Sequence, residues 1–320
     1  MKIIENHKGW QNGLVDWVEG DTAFVSAVFS WQIQQAYGKV AWYRQMGMKV
    51  KVGGPAIKYN PLLFEEVAEV NGDIDALSHH NPNATFTSRG CIRKCPFCLV
   101  PDIEGDIKEI PDFVPRPIVC DNNLLACSRA HFDRVIDKLK PLEGIDFNQG
   151  LDVRLLTSYH ASRLAELNLK CLRLSWDNVH YASPFMNGID ILVKHIPKNL
   201  VRVYVLIGFN DTPDDALYRL RTVRKMGLLQ FPMRYQPKDT SKKNSYIHPN
   251  WTHKELVRFM DYWSHNYYMG IPFEEFGSRR SVLIPTTEAE CLNSDTKAAG
   301  EPGIEPNQNP RSERRVAWNE

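Results

Sequence analysis

The chain has 320 residues, of which 43% are apolar and 24% charged, and a net charge of +1. That length allows about two domains, or one α/β barrel of ~200–250 residues with additions. So even a charge balance excludes global steering toward nucleic acid or a membrane surface, and any basic contact surface must be local.

The start, Met1 to Lys8, lacks the apolar core of a signal peptide. No stretch approaches the ~20 apolar residues that a membrane helix needs. The cysteines are Cys91, Cys95, Cys98, Cys120, Cys127, Cys171 and Cys291. An odd number, clustered once and otherwise scattered, suits a reducing compartment better than a disulfide framework. The expected location is the cytoplasm, with no membrane partner.

Residues 1–20 read as polar and Gly-rich, with Trp10 and Trp17 as packing anchors. Ala23 to Phe29 is a short apolar run and predicts a buried strand. A helix is expected over Trp31 to Met46 and a second strand over Met48 to Val52. That strand runs into Gly53-Gly54-Pro55, a turn that glycine fits best. Pro61 is placed to open another helix through Glu69. The block has the βαβα grammar of a parallel sheet.

From Ala84 the alternation becomes regular. Strands are expected at 84–87, 117–120, 145–148, 171–175, 201–207 and 229–235. Between them, Phe132, Val135, Ile136 and Leu139 recur at i, i+3, i+4, i+7 and predict a helix with one apolar face. Ser158 is a candidate cap for the next helix, with Ala161, Leu164 and Ala165 facing inward. Thr212-Pro213-Asp214-Asp215 is a helix start with a capping Thr, Pro at the first position and acids in the first turn. A last helix is expected from Thr252 to Tyr268. The fold class is α/β: a partial (β/α)6 TIM-like barrel over 81–284, preceded by a small truncated Rossmann-like βα domain over 1–80. Residues 285–320 turn polar and Pro-rich, which predicts a disordered tail.

The chemistry concentrates in Thr85 to Val100. There Cys91, Cys95 and Cys98 stand at C-x3-C-x2-C spacing after a strand end and a glycine. Three thiolates on one tight loop can hold a metal centre. With a fourth ligand such as His79, His80 or a distant cysteine, that centre is structural zinc on a non-catalytic binding protein. With a [4Fe–4S] cluster, three cysteines leave one iron open to a non-protein ligand.

The same motif, with Phe97 just before its last cysteine, resembles the signature of the radical S-adenosylmethionine (SAM) superfamily. The resemblance covers about residues 84–275. It implies that the amino and carboxylate groups of SAM chelate the open iron. One electron from the cluster then cleaves SAM reductively, and the 5′-deoxyadenosyl radical abstracts hydrogen from a substrate. A reductant such as flavodoxin or ferredoxin is implied as partner. Asp121, Asn122 and Asn123 resemble the group that binds the methionine amino group. Arg154 resembles the arginine that meets the SAM carboxylate or ribose, and a guanidinium suits a carboxylate. Ser175 and Asp177 end the fourth strand, where relatives carry a polar group near the ribose. Gly208 ends the fifth, where relatives let adenine approach, although Asn210-Asp211 replaces their Pro-Gly pair.

Phe24 to Trp31 and Lys51 to Pro55 resemble the later half of a cobalamin-binding domain, a frequent neighbour of radical SAM barrels. The histidine motif for the lower cobalt ligand is absent and the block is short. A vestigial domain is expected and cobalamin is not; a cobalamin-assisted methyltransferase is the alternative enzyme. Finally, bases from Arg219 to Arg258 interleave with aromatics. They read either as a solvated face or as a surface for a nucleotide or nucleic acid, toward which the substrate expectation tilts. Cys120, Cys127 and Cys171 match no compact ligand loop and read as buried free thiols.

Overall fold

The computed structural model describes residues 9–70 and 75–277. The expected tail, Cys291 and the first eight residues lie outside them.

Two sheets organise the chain. The first has the order β1-β2-β3-β4: β1 (Leu14–Glu19), β2 (Thr22–Ala27), β3 (Lys49–Gly53) and β4 (Glu69–Val70). The stretch read as polar thus includes a strand. β1 and β2 form an antiparallel hairpin, and β2, β3 and β4 run parallel. α1 (Ile33–Gln45) is the expected helix, and its Ala36, Val40 and Tyr43 pack on Ala23, Val25 and Val52 in a separate small core. Gly54, at φ +91°, is needed where its Cβ would lie 2.5 Å from the Ala27 carbonyl oxygen.

The helix expected over Pro61 to Glu69 does not form. A short α2 (Pro55–Tyr59) precedes a single 3-10 turn over Pro61–Leu63, and the chain then reaches β4. Leu62 and Leu63 are 80% and 55% exposed. Phe64 is nevertheless fully buried, and Val67 and Ala68 pack against the same small core, so turns rather than a continued helix seat these side chains. α3 (Ala76–His80) leads into the second sheet.

That sheet has six parallel strands in sequence order: β5 (Ala84–Thr85), β8 (Ile118–Val119), β9 (Ile145–Leu151), β10 (Leu169–Ser175), β11 (Val201–Ile207) and β12 (Leu229–Arg234). Among the described residues β5 and β12 do not pair, so no closed barrel is present. An antiparallel ribbon, β6 (Ser88–Arg89) with β7 (Lys108–Glu109), brackets α4 (Val100–Ile103) and the cysteines. The helices α5 (Arg129–Leu139), α6 (Ser158–Leu164), α7 (Ala182–Leu192), α8 (Pro213–Lys225) and α9 (His253–Ser264) complete the βα alternation.

Phe132, Val135, Ile136 and Leu139 of α5 are buried as their periodicity predicts. With Phe147, Leu172, Leu174, Val203 and Val205 they form the main core. Thr212 and Thr252 cap α8 and α9 through reciprocal capping boxes. Thr157, not Ser158, caps α6, accepting from the His160 amide at 3.3 Å. α9 stops at Ser264, short of Tyr268.

Candidate metal centre and its rim

The cysteine loop leaves the β6–β7 ribbon at Gly90. Its φ is +76°, and a Cβ there would lie 2.1 Å from the Asp106 carbonyl oxygen, so only glycine lets the two ends of the loop close. The closure is held by the Cys91 amide, which donates to the Gly105 carbonyl at 3.1 Å. Glu104, nearly buried, accepts from the Gly90 amide at 2.8 Å, from Arg89 at 2.6 Å and from Asn122 Nδ2 at 2.8 Å.

Inside the loop, Cys95 to Cys98 is a β-turn closed by the Cys98 amide on the Cys95 carbonyl at 3.0 Å. Pro96 takes the position where its fixed φ suits such a turn. All three thiols are half-buried. The Arg93 amide donates to Cys91 Sγ at 3.3 Å, and Asn123 Nδ2 approaches the same sulfur at 3.5 Å. Burial pushes Cys95 and Cys98 up, and the neighbouring cysteines add to it. Three mutually repelling thiolates on one loop are a donor set that a cationic iron–sulfur centre neutralises.

Among the described residues, no three His, Cys, Asp or Glu side chains converge as ligands of one ion. A cubane asks for a wider spread, with each cysteine on a different iron. The proposed zinc partners serve elsewhere: His80 Nε2 lies 3.0 Å from Ser26 Oγ, and His79 stacks on Trp17 at 3.8 Å.

The rim residues lie at the carboxyl ends of the strands, where ligands of parallel α/β sheets bind. Asp121, just past β8, is buried and accepts from the Thr87 amide at 2.6 Å, the Thr87 hydroxyl and the Ser88 hydroxyl at 2.7 Å. Three of about four acceptor sites on this carboxylate are therefore filled by the cysteine loop's own approach. Burial still raises its pKa, against those hydrogen bonds. Asn122 is held by Glu104. Asn123 differs: it is buried, and its Oδ1 has no hydrogen-bond partner.

Arg154, past β9, forms a bidentate pair with Asp152 at 2.6 and 3.0 Å, and Arg93 of the cysteine loop donates to Asp152 at 3.0 Å. The two guanidiniums hold Asp152 below the usual carboxylate range although its burial opposes them. Ser175 donates to Asp177 at 3.0 Å, and burial raises the Asp177 pKa despite Arg219 and Arg154 nearby. Gly208, at φ +77°, ends β11, where a Cβ would lie 2.9 Å from Leu256 Cδ2. Next to it, Phe209 packs edge-on against Phe97 of the cysteine loop at 5.5 Å and against Tyr235 at 4.8 Å; Tyr235 meets Tyr246 at 5.3 Å. Thus an aromatic row links the loop to the ends of β11 and β12.

Glu104, Asp152 and Phe209 were not singled out from the sequence, whereas Arg234 and Tyr235 were, as residues at the end of the last strand that face substrate. Several members of the basic stretch have partners within the fold. Arg219 is fully buried and binds the Trp176 and Leu206 carbonyls and Asp211. Arg258 donates to the Phe276 carbonyl at 2.7 Å, Arg224 lies over Tyr268, and Arg221 and Lys238 pair with Glu274 and Asp102. These five cations are engaged within the fold. Cys120 and Cys127 are pushed up by burial to about 12 and about 11, as thiols that stay neutral.

No family model matches the chain. Among curated proteins it is similar to ribosomal protein uS12 methylthiotransferases RimO. It is 25% identical over 144 residues to that of Acidovorax sp. (strain JS42), covering 42% of this chain and 29% of the relative. It is 26% identical over 156 residues to that of Salmonella paratyphi B, covering 47% and 32%. The chain therefore spans less than a third of the length of these relatives. At the level of the superfamily, these relatives support the resemblance to radical SAM enzymes.

Proposed function

We propose that this chain is a radical SAM enzyme in which Cys91, Cys95 and Cys98 hold a [4Fe–4S] cluster with one iron left for SAM. When bound, the cluster and SAM supply a one-electron reductive cleavage that yields a 5′-deoxyadenosyl radical for hydrogen abstraction. The observation that carries the reading is the cysteine loop itself: three half-buried thiols on a clasped loop at the carboxyl edge of a sequentially ordered parallel sheet. Such a sheet, with each strand beside its predecessor, is read as a partial (β/α)6 barrel, and the N-terminal sheet as a vestigial domain without a corrinoid.

In this reading the chain's residues orient the guest. Asn123 Oδ1, buried and unpartnered, offers an acceptor for the methionine amino group, with Asp121 and Asn122 beside it. Arg154 faces the carboxylate or ribose, Ser175 and Asp177 the ribose, and Gly208 with Phe97 and Phe209 the adenine. A flavodoxin or ferredoxin delivers the electron. The relatives' name supports a polypeptide substrate. The basic stretch, largely used within the fold, gives the nucleic-acid alternative no separate support.

The test is anaerobic reconstitution followed by iron and sulfide analysis and assay for 5′-deoxyadenosine with SAM and dithionite. Iron, sulfide and deoxyadenosine are expected, and Cys95→Ala loses all three. Bound zinc without iron, and no deoxyadenosine, refutes the enzyme.

A further inference from the structure

The six-stranded sheet has two unlike faces. Leu172, Leu174, Val203 and Val205 point into the core formed with the helices. The residues that alternate with them form the sheet's other face. Strand register aligns Asp146 with Cys171, Arg173 with Arg202, and Arg202 with Leu229. Two residues further toward the carboxyl ends, Ser175 aligns with Tyr204 and Tyr204 with Phe231. The face is open: Ser175 is exposed, and Leu229 and Met233 are 40% and 43% exposed.

Its charge does not balance. Arg173 pairs with Asp146, and both side chains are nearly buried, at 12% and 13% exposed. Arg202, directly across the strand boundary, is half-buried and makes no ion pair among the described residues. Arg173 Nε is buried without a hydrogen-bond partner. Two guanidiniums side by side against one carboxylate repel each other, and burial strengthens that repulsion.

We infer that this face binds a substrate through an anionic group, a carboxylate or a phosphate, held by Arg202 and Arg173, with the Tyr204 hydroxyl alongside. The inference rests on the proposed radical chemistry for its reacting centre. The anchor lies two residues, ~7 Å along the strands, below the row of Ser175. A substrate seated there keeps its reacting carbon toward the rim and the cysteine loop. Guanidinium forks suit both anions in bidentate geometry.

The test uses the full-length, cluster-loaded protein and phenylglyoxal, which modifies guanidiniums. Modification of Arg202 is followed by peptide mass spectrometry. The probes are succinate, inorganic phosphate and SAM, each against sodium chloride at equal ionic strength. Succinate, phosphate or both should slow modification about tenfold beyond chloride; which of them protects tells the carboxylate from the phosphate. Arg173→Gln should bring protection to the chloride level. Asp146→Asn, which leaves two uncompensated guanidiniums, should strengthen it, whereas a purely structural ion pair predicts weakening. Protection no better than chloride, protection by SAM alone, or weaker protection in Asp146→Asn overturns the inference. The unsubstituted protein carries the first comparison, so a variant that fails to fold does not shelter it. Deoxyadenosine formation, measured on the same preparation, separates failure of the anion site from failure of the radical reading.

Discussion

Arg219→Met tests how the rim is held. The Arg219 guanidinium is fully buried and donates to the Trp176 carbonyl at 2.9 Å, to the Leu206 carbonyl at 2.8 Å and to Asp211. Asp211 in turn accepts from the Gly208 amide at 2.9 Å and from Trp251 Nε1 at 3.1 Å. One ion pair thus joins the ends of β10 and β11 to the approach to α9. Burial raises the Asp211 pKa and lowers that of Arg219, so for both partners desolvation outweighs attraction. The pair is no net gain over an apolar core, yet removing one partner strands a buried charge, which costs ~3–5 kcal/mol. Adding Asp211→Asn to Arg219→Met removes that charge and should restore ~1–3 kcal/mol.

The pH dependence has a definite sign. Asp211 has a folded pKa above its unfolded one, so the native state binds more protons and stability falls as pH rises through the folded pKa. Without Arg219 that pKa climbs further. The deficit of the variant should be largest in mild alkali and shrink on acidification. Urea unfolding followed by tryptophan fluorescence measures it, since Trp251 contacts Asp211 directly and the Trp176 carbonyl binds Arg219. A loss below ~1 kcal/mol, a loss that grows in acid, or no recovery with Asp211→Asn would refute the reasoning.

Gly90→Ala forces a Cβ to within 2.1 Å of the Asp106 carbonyl at φ +76°. Backbone strain of ~1–3 kcal/mol should lower the melting temperature and the iron retained through gel filtration; full retention argues against a clasp at Gly90. Glu104→Gln keeps the size but drops the charge that meets Arg89, Gly90 and Asn122. We expect ~1–3 kcal/mol of lost stability and faster cluster loss in air, measured by the decay of its absorbance. Asn123→Ala removes an amide contact to Cys91 Sγ. Hydrogen bonds to cluster sulfurs raise the reduction potential, so a redox titration followed by electron paramagnetic resonance should give a more negative value; an unmoved potential removes Asn123 from the cluster's surroundings.

The cysteine spacing and the positions of most strands were legible because their information is local. Cysteines within eight residues and apolar runs between capped helices need no knowledge of distant partners. Arg219 was also legible, by a periodicity that counting charges does not use. Ala216, Arg219, Leu220 and Val223 recur at i, i+3, i+4, i+7, the core face of α8, and all four are buried there. Over Pro61 to Glu69 the local signals misled: the inward residues Phe64, Val67 and Ala68 reach the core from turns that lead into β4, not from a helix. Glu104 and Asp152 had no local signal. Glu104 meets Asn122 from 18 residues away, and Asp152 meets Arg93 from 59.

These long-range carboxylates change what the rim residues mean. Asp121, Asp152 and Asp211 each stand past a strand end, where a functional reading first looks for groups that touch a ligand. Each instead binds amides, hydroxyls or guanidiniums of the protein and fixes a loop. A rim braced in this way loses little freedom when a guest arrives, which is how preorganised sites limit the entropic cost of binding. The polar atom left over is Asn123 Oδ1, on the side chain whose amide nitrogen approaches Cys91 Sγ. A buried acceptor without a donor costs ~1–3 kcal/mol, which in the proposed reading a bound ammonium group would recover. The sequence pointed first to Asp121 and Asn122 for that contact, and in the proposed reading Asn123, whose Oδ1 has no partner, joins them.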